Sequence, residues 1–182
     1  MSGLLYCFQS YLKRQSIRYA LLIGLASGLL VLIRPTNIIM LLFPAILLIH
    51  YRHQLNCPPL LRDVVVAALV AFLTYLPVIV LAPHDWPVAA YIPMSEQRFY
   101  FNDPKIWQGL FSYRKGWFTY SPVLLMSLPG FWLLYQQKKQ IYALAALLTL
   151  AVALYVHFSW WCWWYGGGFG ARTLIEFLPL WG

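Results

Sequence analysis

The apolar residues of the chain fall into five long runs that are separated by short polar stretches. The third and fifth runs approach the ~20 residues that a helix needs to cross a bilayer, and the others are shorter. The pattern predicts an all-α, polytopic transmembrane helical bundle with about five spans and the start of a sixth near Leu174–Trp181. The predicted spans are residues 17–33, 36–50, 63–82, 121–136 and 141–158.

A proline separates the first two runs. Pro35 lacks a backbone N–H and disfavours a helical conformation at Arg34, so a helix break is predicted here. Thr36 or Asn37 could cap the following helix through a side-chain oxygen. Arg34 has two interpretations, a side chain that reaches interfacial water or one at the rim of a cavity for an anionic lipid. The alternative topology makes 17–49 one kinked span or a re-entrant hairpin.

The composition agrees with a membrane protein. Hydrophobic residues make up 62% of the 182 residues and charged residues only 10%, whereas ordinary globular domains are about 25% charged. So few charges cannot cover a soluble body, and we expect one transmembrane domain over residues 1–182. The three cysteines lie far apart without a Cys-x-x-Cys or metal-ligand spacing, which argues against a disulfide framework and a metal site.

The net charge of +8 comes from basic residues in short groups between the runs, as in loops that orient a membrane protein, and not from a nucleic-acid-binding face. If every run crosses once, three such groups share one side, which the positive-inside rule makes cytoplasmic. The N-terminus is then cytoplasmic and the long loop 83–120 extracytoplasmic. Loops of this length usually carry function or local structure, and short interfacial helices are expected within it. The three groups are Lys13, Arg14 and Arg18; His50, Arg52, His53 and Arg62; and Lys138 and Lys139.

The stretch "SYRKGWFTYSP", residues 112–122, places two cations on the predicted outer side, against the positive-inside bias. Arg114 can grip phosphate oxygens at two points, and Lys115 supplies a mobile point charge. Tyr120 and its aromatic neighbours would form an interfacial belt. Phosphate binding and ordinary headgroup contact are both open interpretations.

The stretch "WWYGGGFGAR", residues 163–172, joins an aromatic belt to a run of glycines. The belt alone does not explain the glycines, whose exposed N–H groups could cradle an anion. Trp164 and Tyr165 could stack on sugar faces, and Arg172 and Glu176, four apart, could share a helix face. A flexible loop after the belt is the alternative. The candidate binding residues are Arg114, Lys115, Tyr120, Trp164, Tyr165, Gly166, Gly167, Gly168, Arg172 and Glu176.

The acidic residues do not identify a catalytic group. The outer-side acids Asp85, Glu96, Asp103 and Glu176 form no recognisable pair, and neither a nucleophile motif nor a phosphate-binding loop is present. Asp103 before a proline is typical of a turn, and His84 beside Asp85 is more typical of a loop. The catalytic residue is therefore unknown from the sequence.

Three stretches together resemble bacterial membrane glycosyltransferases of the GT-C class, such as the protein O-mannosyltransferases and the lipid A aminoarabinose transferase. They are "GLASGLLVLIRPTNIIMLLFPAILL", "SYRKGWFTYSPVLLMSLPGF" and "WWYGGGFGARTLIEFLPL". The order matches that of the class: a helix pair around Arg-Pro, a basic-Gly-aromatic entry before Tyr-Ser-Pro, and a Trp-x-Gly-Gly segment leading to an arginine.

The resemblance implies an enzyme of the bacterial inner membrane that transfers a sugar from a polyprenyl-phosphate donor on the outer face. Its partners would be that donor, membrane lipid and an unidentified glycan, lipid or protein acceptor, without nucleic acid. No cofactor is implied, and a divalent metal is left open. Such enzymes carry a catalytic aspartate in a first outer loop ahead of the matched stretches. We therefore expect this chain to be a middle-to-late portion of a longer enzyme.

A non-catalytic membrane protein is the alternative function, either a transporter piece, a scaffold subunit or a polyprenol-lipid-binding module. Transporters tend to carry ionisable residues at mid-span. In this sequence the runs are almost free of charges, which crowd the outer rim. That distribution favours chemistry or lipid binding at the interface over a transport path.

Overall fold

The structure is a computed structural model that describes residues 1–55, 57–81, 98–122, 125, 128–137, 139–164 and 172–180. Every regular element in these residues is a helix. Three helical segments are long and apolar enough to cross a membrane: Pro35–Gln54, Pro59–Leu81 and Gln140–Phe158, with 20, 23 and 19 residues. They indicate a multi-pass membrane protein. The chain forms two compact units, Met1–Ala90 and Tyr91–Gly182, and the single domain over 1–182 stays a prediction.

The described residues of the first unit form four α-helices. The second, α2, begins and ends where the apolar run 17–33 does, and its 17 residues reach about 25 Å at ~1.5 Å per residue. Two short 3-10 helices, Pro35–Leu41 and Arg52–Gln54, flank α3. The helices are α1 (Ser2–Arg14), α2 (Ile17–Ile33), α3 (Leu42–Tyr51) and α4 (Cys57–Leu81).

The predicted break at Arg34-Pro35 is confirmed. Arg34 is extended, with φ −150° and ψ 124°, and Pro35 opens a 3-10 helix. The cap expected from Thr36 or Asn37 does not form at the start of that helix. The amide Nδ2 of fully buried Asn37 instead donates to the carbonyl of Leu30 at 3.0 Å. The same carbonyl also accepts from the N–H of Arg34 at 3.2 Å, so Asn37 adds a second hydrogen bond at the end of α2 instead of capping the next helix.

Two glycines one turn apart bring α2 against α4. A Cβ added at Gly24 would lie 2.5 Å from the backbone oxygen of Ala67, and one at Gly28 would lie 2.6 Å from Cβ of Thr74. Small residues at i and i+4 let two helix backbones approach closely, which is how helices gain packing energy in lipid. Only glycine fits at these two contacts without displacing α4.

The amphipathic helix α1 packs against the other helices of the first unit through an apolar stripe and a hydrogen bond to a buried carboxylate. Leu4, Phe8 and Tyr11 are buried at helical spacing. The Tyr11 hydroxyl donates to Oδ2 of Asp63 at 3.1 Å, and Nε of Arg62 donates to Oδ1 at 3.0 Å. Asp63 is 1% exposed, and a buried carboxylate is costly unless it is paired and hydrogen-bonded. These contacts tie α1 to the beginning of α4.

In the second unit, the part that the structure describes forms four more α-helices and the 3-10 helix Arg172–Leu180. The longest, α8, confirms the helix predicted over 141–158, and α5 confirms a short helix within the predicted loop 83–120. The predicted span 121–136 contains the nine-residue α7, with residues 123–124 and 126–127 outside the described part. Its crossing, and the total of five spans, stay predictions. The elements are α5 (Ile106–Phe111), α6 (Trp117–Tyr120), α7 (Leu128–Gln136), α8 (Gln140–Phe158) and the 3-10 helix Arg172–Leu180.

We expect Gly24→Val to destabilise the first unit, because the larger side chain meets the backbone of α4. Overpacking of this kind costs about 1–3 kcal/mol, which thermal unfolding of the purified chain in detergent would detect. Gly3→Val is the matched control, since nothing lies within 4 Å of a Cβ at that position. Equal unfolding temperatures for the two variants would contradict the close α2–α4 contact.

The hydrogen bond between Tyr11 and Asp63 has a predicted pH signature. Burial, followed by the bond to Asp63, raises the pKa of Tyr11 to about 12 from its usual value near 10. Since the fold holds the neutral phenol, the stabilisation is complete below about pH 10 and is lost as the pH rises toward about 12. The unfolding temperature of wild type should exceed that of Tyr11→Phe below pH 10, and the difference should shrink above it. Tyr6→Phe, a change at an exposed site on the same helix, should match wild type throughout.

Candidate functional site

Residues 98–105 run alongside the C-terminal end of α8. Phe99 and Trp160 form an isolated antiparallel bridge. Because the last N–H and carbonyl groups of a segment need partners, this pairing satisfies both backbones at once. The hydrogen bonds are Trp161 N–H to Arg98 O at 3.0 Å, Tyr100 N–H to Ser159 O at 2.6 Å, Lys105 N–H to Phe158 O at 2.9 Å and the Tyr155 hydroxyl to Phe101 O at 2.8 Å.

The helix α5 lies with its backbone against the ring of Phe158. A Cβ added at Gly109 would lie 2.3 Å from Cδ1 of that ring. Gly109 is buried and Phe158 is 1% exposed. The contact requires a residue without a side chain, and it positions α5 and the turn that follows.

A tight turn after α5 presents the two predicted cations. The N–H of Gly116 donates to Ser112 O at 2.7 Å, and the N–H of Arg114 donates to the Ser112 hydroxyl at 3.1 Å. The hydroxyl of Tyr120 donates to Tyr113 O at 2.8 Å. Arg114 is exposed and Lys115 is half-buried. Tyr120, a predicted binding residue, thus closes the turn with its hydroxyl.

The structure brings Arg114 together with Trp164. The guanidinium carbon lies over the indole ring, 4.2 Å from its centroid, within the range of an attractive cation–π contact. Edge-on contacts join Trp164 to Trp161 at 6.2 Å and to Trp163 at 5.8 Å between ring centroids. Two stretches that the sequence marked separately therefore meet, and Arg114 remains an exposed residue.

Much of the predicted glycine-rich stretch falls outside the described residues. This holds for Tyr165, Gly166, Gly167 and Gly168, and for the side chain of Arg172. Arg172 opens a 3-10 helix that extends to Leu180. The shared face of Arg172 and Glu176 stays a prediction, because the side chain of Arg172 lies outside the described part. In a 3-10 helix about three residues make a turn. Glu176 therefore lies one turn after Thr173.

The carboxylate of Asp103 is paired within its own turn. Asp103 lies in a turn, where its N–H donates to Tyr100 O at 3.1 Å, and its carboxylate pairs with Lys105. The turn expected at Asp103 is thereby confirmed. His84, Asp85 and Glu96 lie outside the described residues. Among the residues that the structure describes, no group of three or more His, Cys, Asp or Glu side chains is placed to hold a metal ion.

Sequence reasoning missed a buried polar set at the end of α8. His157 is 2% exposed, its Nδ1 lies 2.8 Å from Ala153 O, and its ring meets Phe177 edge-on with centroids 5.8 Å apart. Thr173 is 5% exposed. A histidine or threonine within an apolar stretch gives no sequence signal of this role, because it depends on which helix packs against it.

Comparison with known proteins gives no match: no protein-family model, curated protein or solved structure matches the chain. The geometry of Arg114, Trp164 and the helix Arg172–Leu180 is therefore the basis for any functional argument, beside the resemblance carried by the three sequence stretches.

We expect Gly109→Ala to disturb the second unit, because its methyl group would overlap the Phe158 ring. The displaced α5 would shift the turn that carries Arg114. The cost of such overpacking is about 1–3 kcal/mol, measurable as a lower unfolding temperature in detergent. Gly130→Ala is the control, since nothing lies within 4 Å of its added methyl group. An unfolding temperature at or above that of the control would contradict the proposed contact.

Proposed function

We propose that the chain belongs to a membrane glycosyltransferase that transfers a sugar from a polyprenyl-phosphate-linked donor to an acceptor on the extracytoplasmic side. The observation that carries the proposal is the stack of Arg114 on Trp164. It combines, at one place, a cation suited to phosphate oxygens and an aromatic surface suited to a sugar ring.

The charge distribution supports a phosphate partner. Arginine offers a planar fork of N–H donors that matches phosphate oxygens, and Arg114 is exposed despite its stack on Trp164. Lys115 adds a second positive charge at the next position. Both follow α5, whose last residue Phe111 is exposed, and precede the apolar residues from Trp117 onward. A lipid-linked phosphate would bring its charge to such a boundary.

The proposed reaction is a direct displacement at the anomeric carbon of the sugar. A bond forms between that carbon and an acceptor oxygen, while the bond to the phosphate oxygen breaks and a base takes the acceptor proton. Negative charge grows on the leaving lipid phosphate. Arg114 and Lys115 would stabilise that charge in place, which is a large contribution in an electrostatically prepared site.

The proposed membrane arrangement has five spans, a cytoplasmic N-terminus and a location in the bacterial inner membrane. The three candidate spans of the structure correspond to the second, third and fifth predicted spans. The first predicted span corresponds to the shorter apolar helix Ile17–Ile33. The basic residues that flank these helices support the assigned orientation through the positive-inside rule.

A binding measurement tests the phosphate role. The chain would be placed in nanodiscs of neutral lipid and titrated with a polyprenyl-phosphate hexose. Arg114→Gln should weaken binding about tenfold or more, because a hydrogen bond to a charged group contributes about 1.5–3 kcal/mol. Lys105→Gln is the matched control, since Lys105 is a half-exposed cation of the same unit that pairs with Asp103.

Three results would contradict the proposal. They are an unchanged affinity in Arg114→Gln, an equal loss in Lys105→Gln, and equal binding of the free polyprenol without phosphate. Release of polyprenyl phosphate from the donor in the presence of acceptor membranes then tests transfer. Binding without release would instead identify a polyprenol-lipid-binding module.

A further inference from the structure

The 3-10 helix Arg172–Leu180 directs two different rows of side chains inward. With about three residues per turn, side chains at i and i+3 lie directly above one another. One row holds Leu174 and Phe177, both 0% exposed, and Phe177 meets His157 of α8. The neighbouring row holds Thr173 and Glu176. Thr173 is 5% exposed, and Glu176 is half-buried.

The row of Thr173 and Glu176 carries polar atoms without a partner among the described residues. The hydroxyl oxygen of Thr173 and the Oε2 atom of Glu176 are both buried without a hydrogen-bond partner there, as are Nε1 of Trp161, Nη1 of Arg34 and Oδ1 of Asn37. Native proteins pair the large majority of buried polar atoms, since an unpaired one is costly. Two such atoms one turn apart on the same row indicate a place for a polar ligand group.

The chemistry of the row selects the kind of ligand group. A glutamate oxygen only accepts hydrogen bonds, whereas a threonine hydroxyl both donates and accepts. The matching group must therefore donate to Glu176 and exchange a bond with Thr173. Vicinal sugar hydroxyls meet both demands, because each hydroxyl is a donor and an acceptor. A phosphate does not, since its oxygens only accept and its charge repels a carboxylate.

The row also lies at the end of the unit where the aromatic side chains emerge. The contact between His157 and Phe177 places the 3-10 helix at the C-terminal end of α8. Residues Trp160–Trp164 follow α8 after one residue, and the guanidinium of Arg114 stacks on the ring of Trp164. The second unit therefore holds both a cation that attracts anions, Arg114, and an acceptor without a hydrogen-bond donor among the described residues, Glu176.

We propose that Thr173 and Glu176 form a sugar-hydroxyl subsite, separate from the phosphate-binding role of Arg114. This inference rests on the proposed function and divides the donor site into two parts. Glu176 accepts from one sugar hydroxyl, and Thr173 exchanges a hydrogen bond with its neighbour. Arg114 engages the phosphate of the same lipid.

The test compares two probes on the full chain in neutral nanodiscs, a polyprenyl-phosphate hexose and the same polyprenyl phosphate without sugar. Glu176→Gln preserves size but replaces one acceptor oxygen with a donor. It should weaken binding of the hexose lipid about tenfold and leave the sugar-free lipid unchanged. Thr173→Val, nearly equal in shape, should weaken only the hexose lipid, about threefold or more. Ile175→Ala, at an exposed position of the same helix, should change neither.

Thermal unfolding is measured for each variant, and Thr173→Val supplies the result if Glu176→Gln does not fold. Unchanged affinity ratios in both variants would overturn the subsite and show that the row holds only water. Equal losses for the two lipids would overturn it as well, because the row would then act on the phosphate or on the fold. If Arg114→Gln weakens both lipids while the row variants do not, the proposed function stands and the subsite fails. If wild type binds neither lipid, both fail.

Discussion

A helix that enters hydrocarbon must satisfy its polar groups within the protein, because lipid tails offer no hydrogen bonds. The details of this chain follow from that constraint. Asn37 donates to a carbonyl at the end of α2, and Tyr11 and Arg62 donate to the buried carboxylate of Asp63. At the end of α8 the backbone of residues 98–105 supplies the missing partners. A few buried polar atoms lack a partner among the described residues, and two of them, on Thr173 and Glu176, lie one turn apart in one row.

Close packing at glycine provides the second organising device and occurs in both units. The missing side chains of Gly24 and Gly28 let α4 pack directly on the backbone of α2. The missing side chain of Gly109 lets the ring of Phe158 pack on the backbone of α5. Apolar burial drives helices together weakly in lipid, so dispersion at short range has to contribute more. In the second unit this contact also places the turn that carries Arg114. The position of Arg114 therefore depends on the packing at Gly109.

The sequence predicted helices well wherever a single physical cause dominates. The apolar run 17–33 and Pro35 together account for α2 and its end. The contact of α2 with α4 is predictable from the Gly24-x-x-x-Gly28 spacing, which is a helix-packing motif. The role of Gly109 is not predictable, because it depends on Phe158, which is distant in sequence. The burial of Asp63 is not predictable either, since nothing local shows that α1 covers it.

The sequence identified individual residues of the candidate site, but it did not predict how they are arranged in space. Arg114 and Trp164 were each singled out by residue type, and the predicted topology put them on one side of the membrane. Their stacking distance depends on α5, on the bridge of Phe99 to Trp160, and on the turn after Ser112. The 3-10 geometry of Arg172–Leu180, which places Thr173 and Glu176 in one row, was not predictable from the sequence, because the apolar pattern there fits an α-helix as well.

The cluster of Tyr11, Asp63 and Arg62 determines how deeply α4 can sit in a bilayer. From Val64 to Leu81 the helix carries no charged residue. Drawing the cluster into hydrocarbon would bury charges that cost about 2.5–3.5 kcal/mol each at the membrane centre. It would also pull α1, whose outer side bears Lys13 and Arg14, away from water. The cluster thus limits how far α4 can move into the hydrocarbon. Because α2 packs closely against α4 at Gly24 and Gly28, the same limit applies to α2.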